Sequence, residues 1–209
     1  MDRKGILLVV SGFSGAGKGT LMKELVGRYD NYALSISATT RSPREGELDG
    51  REYFFRTKDE FEQMIADDAL IEHACYVGNY YGTPRAYVEE QLALGRDVIL
   101  EIEIQGALQI KKRFPDTLLL FVSTPDAETL KNRLIGRGTE SLDVVEKRLS
   151  RASEEAEGIE NYDYFIINDD LDTCVTQVHQ IIQGEHSRVS RNLELINTIK
   201  KDISKFQKG

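Results

Sequence analysis

Four short runs of consecutive apolar, largely β-branched residues punctuate the chain: Ile6 to Val10, Val98 to Ile102, Leu118 to Val122 and Tyr164 to Ile167. Runs of this length without polar alternation predict strands covered on both faces. Between them the apolar positions fall at helical spacing. Leu21, Met22, Leu25 and Val26 form one such series. Thr83-Pro84 reads as a cap and first-turn proline for a helix ending at Gly95, and Thr124-Pro125 opens another through Leu130 and Leu134. Strand and helix in alternation predict an α/β fold, a three-layer α/β/α arrangement around a parallel sheet. In such sheets ligands lie beyond the carboxyl ends of the strands.

Residues 35 to 83 break this rhythm. Short β-like pieces (Ser35-Ile36-Ser37, Tyr53-Phe54-Phe55, Leu70 to Cys75) alternate with turns at Gly46 and Gly50 and with one helix. Thr57 and Glu60 predict the capping box of that helix, ahead of Phe61, Met64 and Ile65. The segment reads as an inserted subdomain. Gly136-Arg137-Gly138, between two arginine-bearing helices, reads as the hinge of a lid. Leu193, Ile196, Ile199 and Ile203 among lysines give either an amphipathic terminal helix or a solvated tail.

At 209 residues the chain is long enough for one sizeable core and short for two. Its net charge of −8 argues against a duplex nucleic-acid partner, so anionic ligands must be met by locally focused positive charge. Cys75 and Cys174 stand far apart, outside any metal-ligand or redox spacing, and read as structural thiols of a reducing compartment. No signal-peptide pattern and no run of about twenty apolar residues is present, which predicts a cytoplasmic protein without a membrane segment. His73, His179 and His186 share no spacing of a metal or triad site, and no metal-ligating protein residues are predicted.

The chemistry begins after the first apolar run, at Gly12-Phe13-Ser14-Gly15-Ala16-Gly17-Lys18-Gly19-Thr20. This is a P-loop: glycines let the backbone wrap an anion, the following helix offers its unpaired N–H groups, and Lys18 reaches the β/γ-phosphates of a nucleoside triphosphate. Gly19 occupies the position where a magnesium-binding hydroxyl is usual, with Thr20 one residue later. Mg²⁺ is therefore expected to be held by phosphate oxygens and water. A second phosphate site is predicted at Arg41 and Arg44, three residues apart around Pro43, completed by hydroxyls such as Tyr53 and Tyr81; solvated surface charge is the alternative. Glu101 and Glu103, two apart at the end of a predicted strand, are expected to project from one face into the ligand crevice, or else simply to face water.

Taken together, Gly12 to Thr20, Ser37 to Gly46, Gly78-Asn79-Tyr80-Tyr81-Gly82-Thr83, Gln105-Gly106-Ala107, Gly136 to Glu140 and Ile167-Asn168-Asp169-Asp170 resemble the guanylate kinase family, in order and over most of the chain. The resemblance implies ATP-dependent phosphorylation of GMP and dGMP, with no duplex nucleic acid or membrane as partner. It implies a core (1–34, 84–123 and 156–209), a GMP-binding subdomain (35–83) and a helical lid (124–155), as a monomer or homo-oligomer. It places the GMP phosphate on Arg41, Arg44, Tyr53 and Tyr81, and guanine on Ser37, Glu72 and Thr83. A carboxylate at Glu72 accepts from N1–H and the 2-amino group of guanine, whereas adenine presents an acceptor at N1. Glu101 and Glu103 resemble the family's acidic pair, which contacts substrate and organises magnesium through water. Arg133, Arg137 and Arg148 resemble its lid arginines, and Asn168 its adenine contact; Arg151 reads as a surface ion-pair residue. Phe13 and Thr124 stand where the family usually has proline. The rival readings are a binding module of this fold without catalysis and a P-loop kinase for another acceptor, such as a ribose bisphosphate. The retained Lys18, glycines and lid arginines speak against the first, and Glu72 with Arg41 and Arg44 against the second.

Overall fold

The computed structural model describes residues 4–76, 78–136, 148–150, 152–153 and 155–206. Its frame is a parallel sheet of β1 (Leu7–Gly12), β2 (Tyr32–Leu34), β7 (Asp97–Glu101), β8 (Leu118–Ser123) and β9 (Tyr164–Ile167), in the order β2-β7-β1-β8-β9. β1 and β8 are buried along their whole length, as their unbroken apolar sequences require. Successive residues of β1 feed opposite layers. Leu8 and Val10 pack with Leu21, Met22 and Leu25 of α1 (Lys18–Arg28) and with Cys174, Val175, Val178 and Ile182 of α6 (Leu171–His186). Leu7 and Val9 pack with Val88 of α3 (Arg85–Ala93) and with Ala107 and Ile110 of α4 (Ile104–Arg113). Asp97, fully buried at the start of β7, is satisfied by Ile6 N–H (2.9 Å), Asn31 Nδ2 (3.1 Å) and His186 Nε2 (2.8 Å).

The interrupting segment forms a second sheet, β4-β3-β6-β5, from β3 (Ala38–Thr39), β4 (Phe54–Phe55), β5 (Leu70–Tyr76) and β6 (Asn79–Pro84). Ala38, Phe61 and Leu70 form its own small core under α2 (Lys58–Ala66). The Thr57–Glu60 capping box is present, with Glu60 N–H donating to Thr57 Oγ1 (3.2 Å) and Thr57 N–H to Glu60 Oε2 (2.7 Å). A three-charge knot ties this sheet to the main core. Asp68, in the left-handed region at φ 52°, accepts from Arg113 of α4 at 2.6 and 2.8 Å and from Arg85 of α3 at 2.9 Å. The terminal residues do form a helix, α7 (Leu193–Lys205), with no buried residue.

Several local expectations change. Residues 35–37 are not a strand; β3 begins at Ala38. β6 runs through Thr83 to Pro84, so α3 starts at Arg85 without a side-chain cap. Asp126, not Thr124, caps α5 (Ala127–Ile135) by accepting from Thr129 N–H at 2.6 Å. β7 stops at Glu101, and Glu103 is the residue before α4. Cys174 is buried, which pushes its thiol up to about 11, but Cys75 is exposed and is no structural thiol. Gly136 ends α5, while Arg137 and Gly138 of the predicted hinge lie outside the described residues, as does Arg151.

Candidate active site

β1 leaves the sheet at Gly12, where a Cβ would sit 2.1 Å from Val122 O, so only glycine lets the loop turn there. The chain then closes through Phe13 N–H to Val122 O (3.3 Å) and Ala16 N–H to Phe13 O (3.0 Å), with Ser14 and Gly15 at the crest. Gly17 is the N-cap of α1 at φ 87°. Lys18 Nζ donates to the carbonyls of Gly12 (2.5 Å) and Phe13 (3.2 Å), which suspends the ammonium across the loop mouth. Gly19 and Thr20 follow, exposed in the first turn. The result is a cradle of main-chain donors at a helix N-terminus, with one fixed cation, which is the geometry for a phosphate chain.

The cradle is braced from the far side of the sheet. Asn168, buried after β9, donates from Nδ2 to Ala16 O at 2.8 Å, and its own carbonyl accepts from Arg133 Nη1 of α5 at 2.8 Å. Asn168 is thus committed to the loop through its amide, and Arg133 to Asn168. Phe13 packs edge-on against Phe121 (5.0 Å between centroids) and joins Leu130, Leu134, Leu149 and Ala152. An aromatic ring thereby fills the proline position with packing to the arginine-bearing helices. Arg148 is half-buried in helical residues 148–150.

Facing the cradle is a cavity of about 790 Å³, lined on one side by Ser37, Tyr53, Glu72 and Tyr81 and on the other by Glu101, Glu103, Gln105 and Gly106. Glu72 is its most unusual group, being 7 % exposed. Thr83 Oγ1 donates to Glu72 Oε1 at 2.8 Å. The hydroxyl that read as a helix cap therefore serves a buried carboxyl on the neighbouring strand. Desolvation pushes Glu72 up to about 7, and the hydrogen bonds from Thr83 only partly oppose it. Such a group is poised to accept N–H donors from a ligand that replaces the water it has lost.

Arg41, just past β3, lies over the rings of Tyr53 (5.3 Å) and Phe55 (5.8 Å). Its Nη2 donates to Glu47 Oε1 at 2.9 Å, while Arg44 N–H donates to Glu47 Oε2 at 2.7 Å. The hydrogen bond with Arg41, and then that from Arg44, hold the Glu47 carboxyl below its ordinary range; the same pairing raises Arg41. Glu47 is the residue that sequence reasoning missed. Its spacing, three after Arg44 and six after Arg41, was the available signal. The Arg44 side chain is exposed, and the Tyr53 and Tyr81 rings meet edge-on at 6.1 Å.

Glu101 and Glu103 both line the cavity, but as strand end and helix cap rather than as alternate residues of one strand. Glu101 opens onto the cleft yet is hemmed in by protein. That desolvation raises it, against the attraction of Lys18 and with the repulsion of Glu103. No cluster of three His, Cys, Asp or Glu able to hold a metal occurs among the described residues. Glu101, which feels the charge of Lys18, and the neighbouring Glu103 do fit a hydrated magnesium ion, which keeps most of its own water and takes one or two carboxylates. No described helix is long and apolar enough to cross a membrane.

A statistical description of the guanylate kinase family matches residues 4–185. Guanylate kinase of Lactococcus lactis subsp. lactis (strain IL1403) is 48% identical over 194 residues, 93% of this chain and 95% of that protein. Guanylate kinase of Bacillus subtilis (strain 168) is 50% identical over 192 residues, 91% and 94% of the two chains. The crystal structure of guanylate kinase from Anaplasma phagocytophilum superposes with a TM-score of 0.73 at 29% identity, covering 90% of this chain and 89% of that one.

Proposed function

Because the chain belongs to the guanylate kinase family, whose reaction transfers a phosphoryl group from ATP to GMP, we propose how this molecule divides that work among its residues. The P-loop from Gly12 to Thr20 seats the ATP phosphates, with main-chain N–H groups and Lys18 drawing charge from the β- and γ-oxygens. Arg41, Arg44, Tyr53 and Tyr81 seat the GMP phosphate, and Glu47 holds Arg41 in place. Ser37, Glu72 and Thr83 read guanine. dGMP is accepted as well, since these groups contact base and phosphate.

Glu101 and Glu103 would meet a hydrated Mg²⁺, which when bound neutralises phosphate charge between the two nucleotides. Phosphoryl transfer offers a protein little covalent work, so alignment and charge cancellation carry the catalysis. Arg137 and Arg148, with Arg133 once it leaves the Asn168 carbonyl that holds it here, supply the remaining positive charge from the segment 124–155, acting as a lid over the core, while 35–83 acts as the acceptor-binding subdomain. Closure on both nucleotides excludes water and limits ATP hydrolysis.

The observation that carries this reading is the buried Glu72–Thr83 pair in a cavity that also meets the acidic pair in front of Lys18. A carboxylate there satisfies two guanine donors and leaves adenine unmatched, a difference on the order of 1.5–3 kcal/mol per lost charged hydrogen bond. A coupled assay of ADP release with GMP, AMP, CMP and UMP as acceptors, in the presence of magnesium, tests it. GMP turnover far above the other three is expected. Tight GMP binding without turnover would leave a binding module instead.

A further inference from the structure

A glycine inside a helix needs a physical reason, since alanine is the better helix former. Gly106, buried in the first turn of α4, has no positive φ to require it. Gly19, Gly27 and Gly184 also lie in helices, and a Cβ on any of them would meet nothing within 4 Å. At Gly106 the same Cβ would stand 3.2 Å from Glu72 Oε2, 3.8 Å from Glu72 Cδ and 3.2 Å from Ile102 Cδ1. The first of these neighbours has little freedom to yield. The carboxyl is buried, and its Oε1 is held by the Thr83 hydroxyl at 2.8 Å. Nor can helix and strand readily part, because Arg113 at the other end of α4 grips Asp68 and reaches the carbonyls of Leu70 (3.4 Å) and Ile71 (3.3 Å) at the start of β5.

We infer that Gly106 is a specificity-determining position for the acceptor base: its missing side chain is the space that lets Glu72 Oε2 stay turned to the cavity while Oε1 is bound by Thr83. Gly106 lines that cavity itself. A methyl group there displaces Oε2 by a few tenths of an ångström. Hydrogen bonds to a buried carboxylate weaken steeply with such misplacement. Glycine thus acts through Glu72, and the inference rests on Glu72 being the guanine reader.

The test uses the full chain as wild type, Gly106→Ala, Gly106→Ala with Ile102→Val, and Glu72→Gln. Steady-state constants for GMP, AMP and ATP, the GMP dissociation constant without ATP, and thermal unfolding are measured for each. For Gly106→Ala the KM and Kd for GMP are expected to rise roughly tenfold or more, with KM for ATP and Tm little changed. The Ile102→Val addition removes Cδ1 but leaves Glu72 crowded, so the GMP defect is expected to persist. Unchanged GMP affinity in Gly106→Ala overturns the inference. So does recovery in the double variant, or loss of the cooperative unfolding transition in both, because the glycine then serves packing alone. Failure of the underlying reading is separately visible: Glu72→Gln would keep the wild-type preference for GMP over AMP.

Discussion

The P-loop gathers its groups from nine consecutive residues, Gly12 to Thr20, whereas the acceptor slot takes Arg41, Tyr53, Glu72, Tyr81 and Thr83 from four strands or the loops beside them. In the proposed reading both seat a phosphate. The first works chiefly through backbone N–H groups, whose placement depends on glycine torsions and on the junction of β1 with α1. The second works through side chains that only the second sheet brings together. Local geometry suffices for a phosphate chain because every phosphate looks alike. A purine edge demands donors and acceptors at fixed places, and those come from residues distant in sequence.

Substitutions can break this contrast. The largest effect is expected at Lys18. Lys18→Ala lowers kcat on the order of 10²–10³-fold, comparable to losing a preorganised charge donor, and ordinary single-turnover rates would remove the P-loop from the chemistry. Next is Gly17→Ala, which places a Cβ 2.6 Å from Asn168 Nδ2 at φ 87°. It should raise KM for ATP and lower Tm together, as strain in a left-handed position costs roughly 1–3 kcal/mol.

Acceptor-side changes should be smaller and should spare ATP. Glu72→Gln is expected to cut kcat/KM for GMP about 10- to 100-fold while KM for ATP stays within twofold. The same substitution has a second signature. Glu72 is pushed up to about 7 in the folded chain against an ordinary value of 4.5, so the native state binds the extra proton between those pH values. Its contribution favours folding most below about pH 4.5, declines as pH rises to 7, and costs up to about 3 kcal/mol once the group is ionised. Denaturant titrations from pH 5 to 8 should therefore show Glu72→Gln gaining stability over wild type as pH rises.

A fifth experiment sharpens the comparison through pH. Guanine needs the ionised carboxylate, while a protonated carboxyl can donate to adenine N1. The ratio of kcat/KM for GMP to that for AMP is expected to fall between pH 8 and pH 6, and a flat ratio would exclude Glu72 as the reader. The smallest effect is expected for Glu47→Gln, which loosens Arg41 and should raise KM for GMP by roughly three- to tenfold without moving the pH profile.

The same contrast explains what was legible in the chain itself. The apolar runs at β1, β7 and β8 matched inner strands because burial on both faces leaves a continuous signal, whereas the run from Tyr164 to Ile167 is the edge strand β9, with Phe165 and Ile167 half exposed, and is not covered on both faces as its sequence predicts. β2, three residues long, and β6, in which two tyrosines stand among asparagine, glycine, threonine and proline, left no such trace. The P-loop could be read because its parts are neighbours. Thr83 was misread because a hydroxyl before proline is equally good as a helix cap; only the β5–β6 pairing turns it toward Glu72. Glu103 obeyed period two only while β7 was taken to continue, and the chain turns into α4 instead. Glu47 escaped notice because acidic residues in loops are common, and its role exists only in relation to Arg41.

The head-to-tail series from Arg133 through Asn168 to Ala16 ties helix α5 and the P-loop together on the β8–β9 flank. The proposed guanine slot hangs from a different helix, α4, through Arg113. In the reading proposed above, the parallel sheet spanning these two mounts is the common frame from which an acceptor oxygen and a donor phosphorus are brought together. Apolar residues far from either nucleotide, such as Val9 and Leu119, hold that frame together.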